Sequence, residues 1–151
     1  MEIIHHNKKM KGISNMKKIK AAVVGYGNIG QYTIEALEAA EDFEIAGVVR
    51  RNGAADKPAA LAPYHVVKDI RDLGAVDVAI LCAPTRLCPD YAKTYIALGI
   101  NTVDSYDIHT GIAEYRATLM PLCQQHDAVS VIAAGWDPGS DSVVRTLMQG
   151  L

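Results

Sequence analysis

Cysteine is scarce in this sequence. Cys82, Cys88 and Cys123 are its only three, and no two stand as C-x-x-C. That excludes a disulfide framework and gives no support to a zinc or thiol-redox centre. Such usage fits a reducing, cytoplasmic setting. An excess of positive charge is also missing. Fifteen Lys and Arg face 17 Asp and Glu, a net charge of -2, so the electrostatic basis for binding nucleic acid is absent. No apolar run approaches the ~20 residues of a membrane-spanning helix. The segment before Met16 lacks the apolar core of a signal peptide. His5 and His6 stand without the further ligands a metal needs, so no metal is expected. Internal repeats and low-complexity tracts are absent as well.

What is present is apolar bulk. Of the 151 residues 50% are hydrophobic and 21% charged, enough to bury the core of about one domain. Residues 1–15 read as a disordered extension ahead of Met16-Lys17-Lys18-Ile19-Lys20. Residues 16–151 read as one dinucleotide-binding domain that ends in a truncated helix.

From Ile19 onward strand and helix patterns alternate. Ala21-Ala22-Val23-Val24 suits a strand buried on both faces. Ile29, Thr33, Ala36, Leu37 and Ala40 recur at helical spacing. Further strands are predicted at Phe43 to Val49, His65 to Val67, Val76 to Cys82, Asn101 to Asp104 and Val129 to Ala134. Asn52 to Pro63 reads as a loop. Helices are predicted from Pro89 to Leu98 with Gly99 as C-cap, from Ala113 to His126, and from Ser140 to Leu151. Six strands alternating with helices imply a Rossmann-type doubly wound parallel sheet with right-handed crossovers.

Gly25-Tyr26-Gly27-Asn28-Ile29-Gly30 is G-x-G-x-x-G between a buried strand and a helix, the context of a dinucleotide fingerprint. Gly25 makes the tight turn, Gly27 lets a pyrophosphate approach, and Gly30 lets the helix pack close. The free N–H groups of the helix start then meet the phosphate charge. An NAD site would place Asp or Glu about 20 residues on. There the sequence has Arg50, Arg51 and Asn52. Guanidinium groups bind phosphate in forked pairs, so NADP is favoured over NAD.

Ligands of such sheets lie beyond the carboxyl ends of the strands. Three more ends carry suitable residues: Cys82-Ala83-Pro84-Thr85-Arg86, Asp104-Ser105-Tyr106-Asp107-Ile108-His109, and Gly135-Trp136-Asp137-Pro138-Gly139. Asp107 and Asp137 could hold a cationic substrate group and move a proton. Equally they could be helix N-caps, Asp137 followed by Pro138 at the first helical position. His109 reads as a turn residue.

Three segments carry a resemblance: Val23 to Gly30, Val-Asp-Ser-Tyr-Asp-Ile-His at 103–109, and Gly-Trp-Asp-Pro-Gly at 135–139. Together the sequence resembles the meso-diaminopimelate D-dehydrogenases from about Lys18 to its end. The resemblance implies an NADP-dependent, homodimeric oxidoreductase of lysine and cell-wall precursor synthesis. Its reaction would be the reversible oxidative deamination of the D-centre of meso-2,6-diaminopimelate to L-2-amino-6-oxopimelate and ammonia. It further implies that Asp107 and Asp137, with Trp136, lie at the D-centre amino group. It places Arg50-Arg51-Asn52, Cys82 to Thr85, Ser105 to Asp107, and Trp136 to Gly139 against the cofactor. In some members the arginine pair stands as Ser-Arg-Arg, one place displaced from Arg50-Arg51-Asn52. Members of that family continue for roughly as many residues again, so this chain resembles their cofactor-binding half. Two other readings compete: another NADP-dependent reductase of the aspartate pathway, and an NADP-binding module without chemistry.

Overall fold

The computed structural model describes residues 17–135 and 140–149. Six parallel strands form one sheet: β1 (Ile19–Val24), β2 (Phe43–Val49), β3 (Val66–Val67), β4 (Val78–Leu81), β5 (Asn101–Asp104) and β6 (Ser130–Val131). Their order is β3-β2-β1-β4-β5-β6, in which the connections run outward in both directions from β1 and β4. The helices are α1 (Asn28–Ala39), α2 (Cys88–Ile96), α3 (Ile112–His126) and α4 (Ser140–Gln149).

β1 lies at the centre, and its unbroken apolar run is explained by two cores. Ala21 and Val23 point to one face and pack with Ile34, Leu37, Val48 and Leu61. Ala22 and Val24 point to the other and pack with Ala79, Leu81, Ala92 and Ile96. Strand side chains alternate faces, so a strand covered on both sides has no polar positions to spare.

Several boundaries differ from the sequence expectation, each for a local reason. β4 begins at Val78 instead of Val76. The preceding Asp77 is held by Lys20, whose backbone N–H donates to the Asp77 carboxylate at 2.8 Å. β6 spans two residues instead of the six expected from Val129 to Ala134. Ala133 has a left-handed backbone (φ 55°), and the N–H groups of Ala133 and Ala134 turn to Asp104. α1 buries Gly30, Ile34 and Leu37 instead of the face through Ile29, Thr33 and Ala36. The strand before it delivers Gly30 onto the sheet, and this fixes the helix phase. The segment 52–63 is a loop apart from a single 3-10 turn at Ala59–Leu61, which buries Leu61 completely.

Gly99 closes α2 as expected. Its φ of 74° lets Gly99 N–H donate to Ile96 (2.8 Å) and Ile100 N–H donate to Tyr95 (3.0 Å), the paired bonds of a glycine-terminated helix. α4 starts at Ser140 as predicted, and Val143, Val144, Leu147 and Met148 on it are exposed. Residues 1–16 and 136–139 lie outside the described residues, and with them the expected extension and the Trp136-Asp137-Pro138-Gly139 turn. Among the described residues, no helix is long and apolar enough to cross a membrane.

Candidate functional site

The carboxyl ends of β1, β2, β3 and β4 open onto a cleft of about 730 Å³. Gly25, Tyr26, Gly27, Asn28 and Ile29 form one wall, Arg50, Arg51 and Asn52 another, and Cys82, Ala83 and Pro84 a third. Eleven sequence-predicted cofactor residues thus meet in one place. The cleft also takes in Lys68, Leu87 and Tyr91, which the sequence reading did not single out.

The glycines show what the cleft is shaped to hold. Gly25 has φ 100°, and a Cβ there would lie 2.5 Å from the Cys82 carbonyl oxygen. A Cβ at Gly30 would lie 2.3 Å from the Gly25 carbonyl oxygen. Both positions therefore exclude a side chain, and the start of α1 is pressed against the end of β1. At Gly27 a Cβ would meet nothing within 4 Å, because that position faces open cleft. No side chain caps the start of α1, and its first turn holds no acid. Its unpaired N–H groups and positive dipole end therefore remain available to an anion. A cradle of bare backbone at a helix start fits a pyrophosphate.

On the opposite wall Arg50 is half-buried, while Arg51 and Asn52 are exposed. The Arg50 guanidinium donates to the Gly53 carbonyl at 3.3 Å, which orients it along the rim. Among the described residues lining the cleft, the charged ones are Arg50, Arg51 and Lys68, and none is acidic. Cys82 lends its main chain, since its Sγ sits 3.3 Å from the Thr33 hydroxyl on the α1 side.

Thr85, Ser105, Tyr106 and Asp107 do not line this cleft; they stand farther along, at the ends of β4 and β5. The Asp107 N–H donates to the Thr85 hydroxyl oxygen at 3.1 Å, joining those two ends. Asp107 is exposed. It caps no helix: Ile108 is the N-cap of the 3-10 turn at His109–Gly111, and Gly111 is that of α3. Among the described residues nothing donates to its carboxylate, so the capping alternative is removed for Asp107. For Asp137 it lies outside the described residues. The Tyr106 ring turns away into the core, 4.8 Å from the ring of Tyr115, which leaves only its main chain near a ligand.

Asp104 holds this region together. It is 3% exposed. One carboxylate oxygen accepts from Tyr106 N–H at 2.9 Å and Ala133 N–H at 3.1 Å. The other accepts from the Tyr115 hydroxyl at 2.7 Å. Burial, then this hydrogen bond, pushes the Tyr115 phenol above its usual range. Cys88, buried beneath, has its thiol pushed up to about 11 by burial first and then by the Asp104 carboxylate. It is a protonated packing residue and no nucleophile. Among the described residues no cluster of His, Cys, Asp and Glu could hold a metal ion.

Comparison with known proteins agrees with this geometry. A meso-diaminopimelate D-dehydrogenase of Bacteroides fragilis is 64% identical over 136 residues, covering 90% of this chain and 46% of the relative. A multiply substituted meso-dapdh of Clostridium tetani, solved with DAP, superposes with a TM-score of 0.73. It is 30% identical, over 86% of this chain and 41% of that one. An engineered D-amino acid dehydrogenase bound to NADP+ gives a TM-score of 0.67 at 28% identity, over 87% and 40% of the two chains. The chain thus spans less than half the length of each of these three proteins. Residues 19–133 match the oxidoreductase family with an NAD-binding Rossmann fold, and to that family the chain belongs.

Proposed function

We propose that this chain is the NADP-binding half of a meso-diaminopimelate D-dehydrogenase. The observation that carries the reading is the pairing of two features at neighbouring strand ends. One is the cleft whose glycine cradle and arginine rim suit an NADP pyrophosphate and 2′-phosphate. The other is an exposed carboxylate, Asp107, to which nothing donates among the described residues. The 64% identical relative bears that enzyme's name.

The cradle shaped by Gly25, Gly27 and Gly30 binds the pyrophosphate through the free main-chain N–H groups at the start of α1. Arg50 and Arg51 bind the 2′-phosphate. When bound, NADP supplies the hydride acceptor for the C–H bond at the D-configured carbon. Asp107 holds the substrate ammonium by a charge-assisted hydrogen bond and takes its proton. Asp137 shares that amino group, with Trp136 beside it; for these two the support is the resemblance alone. Thr85 steadies the Asp107 turn by accepting from its N–H; for Ser105 the support is the resemblance alone. We place the whole enzyme in the cytoplasm as a homodimer, with no nucleic acid or membrane as partner. The free cysteines among the described residues suit a reducing compartment.

The test is a chimera in which residues 19–151 replace the matching segment of the Bacteroides fragilis relative. It should reduce NADP+ with meso-diaminopimelate and not with the LL isomer. A folded chimera that binds NADPH yet leaves meso-diaminopimelate unoxidised would overturn the reading and favour a binding module without chemistry.

A further inference from the structure

The third cation of the cleft, Lys68, stands at the carboxyl end of β3. β2 and β3 pair Val48 with Val66 and Val49 with Val67. Arg50 N–H then donates to the Val67 carbonyl at 2.9 Å, and Gly25 N–H to the Val49 carbonyl at 2.9 Å. Gly25, Arg50 and Lys68 therefore follow one another across the ends of β1, β2 and β3 in a single row. Two strand spacings, about 10 Å, separate the Lys68 main chain from the glycine turn, so Lys68 stands beside the Arg50 end of the cleft and not beside the pyrophosphate cradle. The adenosine ribose sits at the end of β2 in this fold. A group on its 2′ position that points away from the glycine turn is aimed at β3.

The turn after β2 holds both cations. Gly53 is buried, with φ 54°, and a Cβ on it would lie 2.8 Å from Lys68 Cγ and 3.3 Å from Lys68 N. The turn thus packs directly on the Lys68 stem, while its Gly53 carbonyl accepts from the Arg50 guanidinium. Competition from the neighbouring acid is removed: Asp69 accepts from the backbone N–H of Arg71 at 2.9 Å and from its side-chain Nε at 2.8 Å. Three positive charges with no acid among them, in a chain of net charge -2, form a local field suited to a dianion.

We propose that Lys68 completes a three-point clamp with Arg50 and Arg51 on the 2′-phosphate, and so is a further determinant of NADP over NAD. The inference rests on the dinucleotide reading of the cleft. Its test is calorimetric binding to the 151-residue chain of four probes: NADPH, NADH, 2′,5′-ADP and 5′-AMP. Lys68→Met should weaken NADPH and 2′,5′-ADP roughly tenfold, the worth of one charge-assisted contact. It should leave NADH and 5′-AMP within about twofold of the parent. Lys68→Arg should restore the phosphate-bearing pair, and the melting temperature should stay put because the side chain is exposed. An unmutated chain with no preference for NADPH overturns the 2′-phosphate reading as a whole. A parent that prefers NADPH with a Lys68→Met variant that keeps the full preference overturns this inference alone. Equal weakening of NADPH and NADH also overturns it, since Lys68 would then be serving the shared part of the molecule.

Discussion

Two glycines of one fingerprint should fail in opposite ways when given a methyl group. At Gly30 the added carbon would stand 2.3 Å from the Gly25 carbonyl oxygen and 3.1 Å from its carbon. Ordinary contact is ~3.5 Å, so α1 must retreat by about 1 Å from the end of β1. Both atoms it meets are main chain and cannot rotate aside. The same helix carries Ile34 and Leu37 into the core at 6% and 8% exposure, so the retreat unpacks that core as well. Overpacking of this kind costs about 1–3 kcal/mol. For a chain of this size that is a fall in Tm of roughly 3–10 °C. At Gly27 the methyl meets nothing within 4 Å, and φ is -87°, which any residue adopts. Losing a good N-cap and stiffening the unfolded chain are each worth under ~1 kcal/mol and oppose one another. Stability should therefore hardly move, yet the methyl fills the space where the pyrophosphate must approach.

Thermal melts with and without NADPH separate the two effects. Ligand stabilises the native state by RT ln(1 + [L]/Kd), about 2.7 kcal/mol at a hundredfold excess over Kd. Losing one or two charge-assisted contacts raises Kd by roughly one to three decades. The NADPH-induced rise in Tm should then largely vanish for Gly27→Ala while its ligand-free Tm matches the parent. Gly30→Ala should melt early even without ligand. A Gly27→Ala chain that binds NADPH as tightly as the parent would refute the cradle, whatever Gly30→Ala does.

Replacing Arg50 and Arg51 together by Ala should cut the ratio of NADPH to NADH affinity by at least about tenfold, read by titration calorimetry. In the chimera, Asp107→Asn should lower kcat roughly a hundredfold or more and leave the NADPH Kd unchanged. Unaltered turnover would return Asp107 to a purely local role. Tyr115→Phe should destabilise by about 1–3 kcal/mol, measured by urea unfolding, because one oxygen of a buried carboxylate loses its donor. The raised phenol also sets a pH dependence. Its folded-state pKa lies above the ordinary 10.0, so the neutral form is favoured, and the stability it contributes is complete below about pH 10. That stability is lost as the pH rises beyond. The alkaline fall in stability should therefore be shallower in Tyr115→Phe than in the parent.

The legible part of this molecule is the part written in short-range patterns. A run such as Ala21 to Val24 announces a strand covered on both faces. Gly25, Gly27 and Gly30 announce their duties because each duty is steric and local. Arg50 and Arg51 were found by counting from the fingerprint. Lys68 was not, since its place depends on where β3 ends and on its register against β2, and a strand of two residues states neither in the sequence. Leu87 and Tyr91 were hidden for a related reason: they reach the cleft by the way the 3-10 turn at Thr85–Leu87 hands over to α2. The phase of α1 departs from the one its spacing predicts because Ile29 looks like core. It is 59% exposed, on the rim of the cleft.

Asp104 is the instructive omission. In the sequence it is one acid in Asp-Ser-Tyr-Asp, and the exposed Asp107 attracts attention as the one able to meet a substrate. In the structure the buried acid comes first. Its carboxylate accepts from Tyr106 N–H, immediately before Asp107, and from Ala133 N–H, on the segment that leads toward Trp136 and Asp137. Its own carbonyl accepts from Ala134 N–H at 2.7 Å. A carboxylate out of water is costly unless its lone pairs are satisfied, and here two of its three donors are the N–H groups of Tyr106 and Ala133, one just after β5 and one just after β6, the third being the Tyr115 hydroxyl of α3. The cost of burying one charge thus becomes the force that fixes the ends of β5 and β6 relative to each other. A charge at the surface could not do this, because water would compete for every donor. Asp104 is a positioning residue on this account, and its removal should loosen the ends of β5 and β6 at once where the loss of Asp107 would disturb only the end of β5.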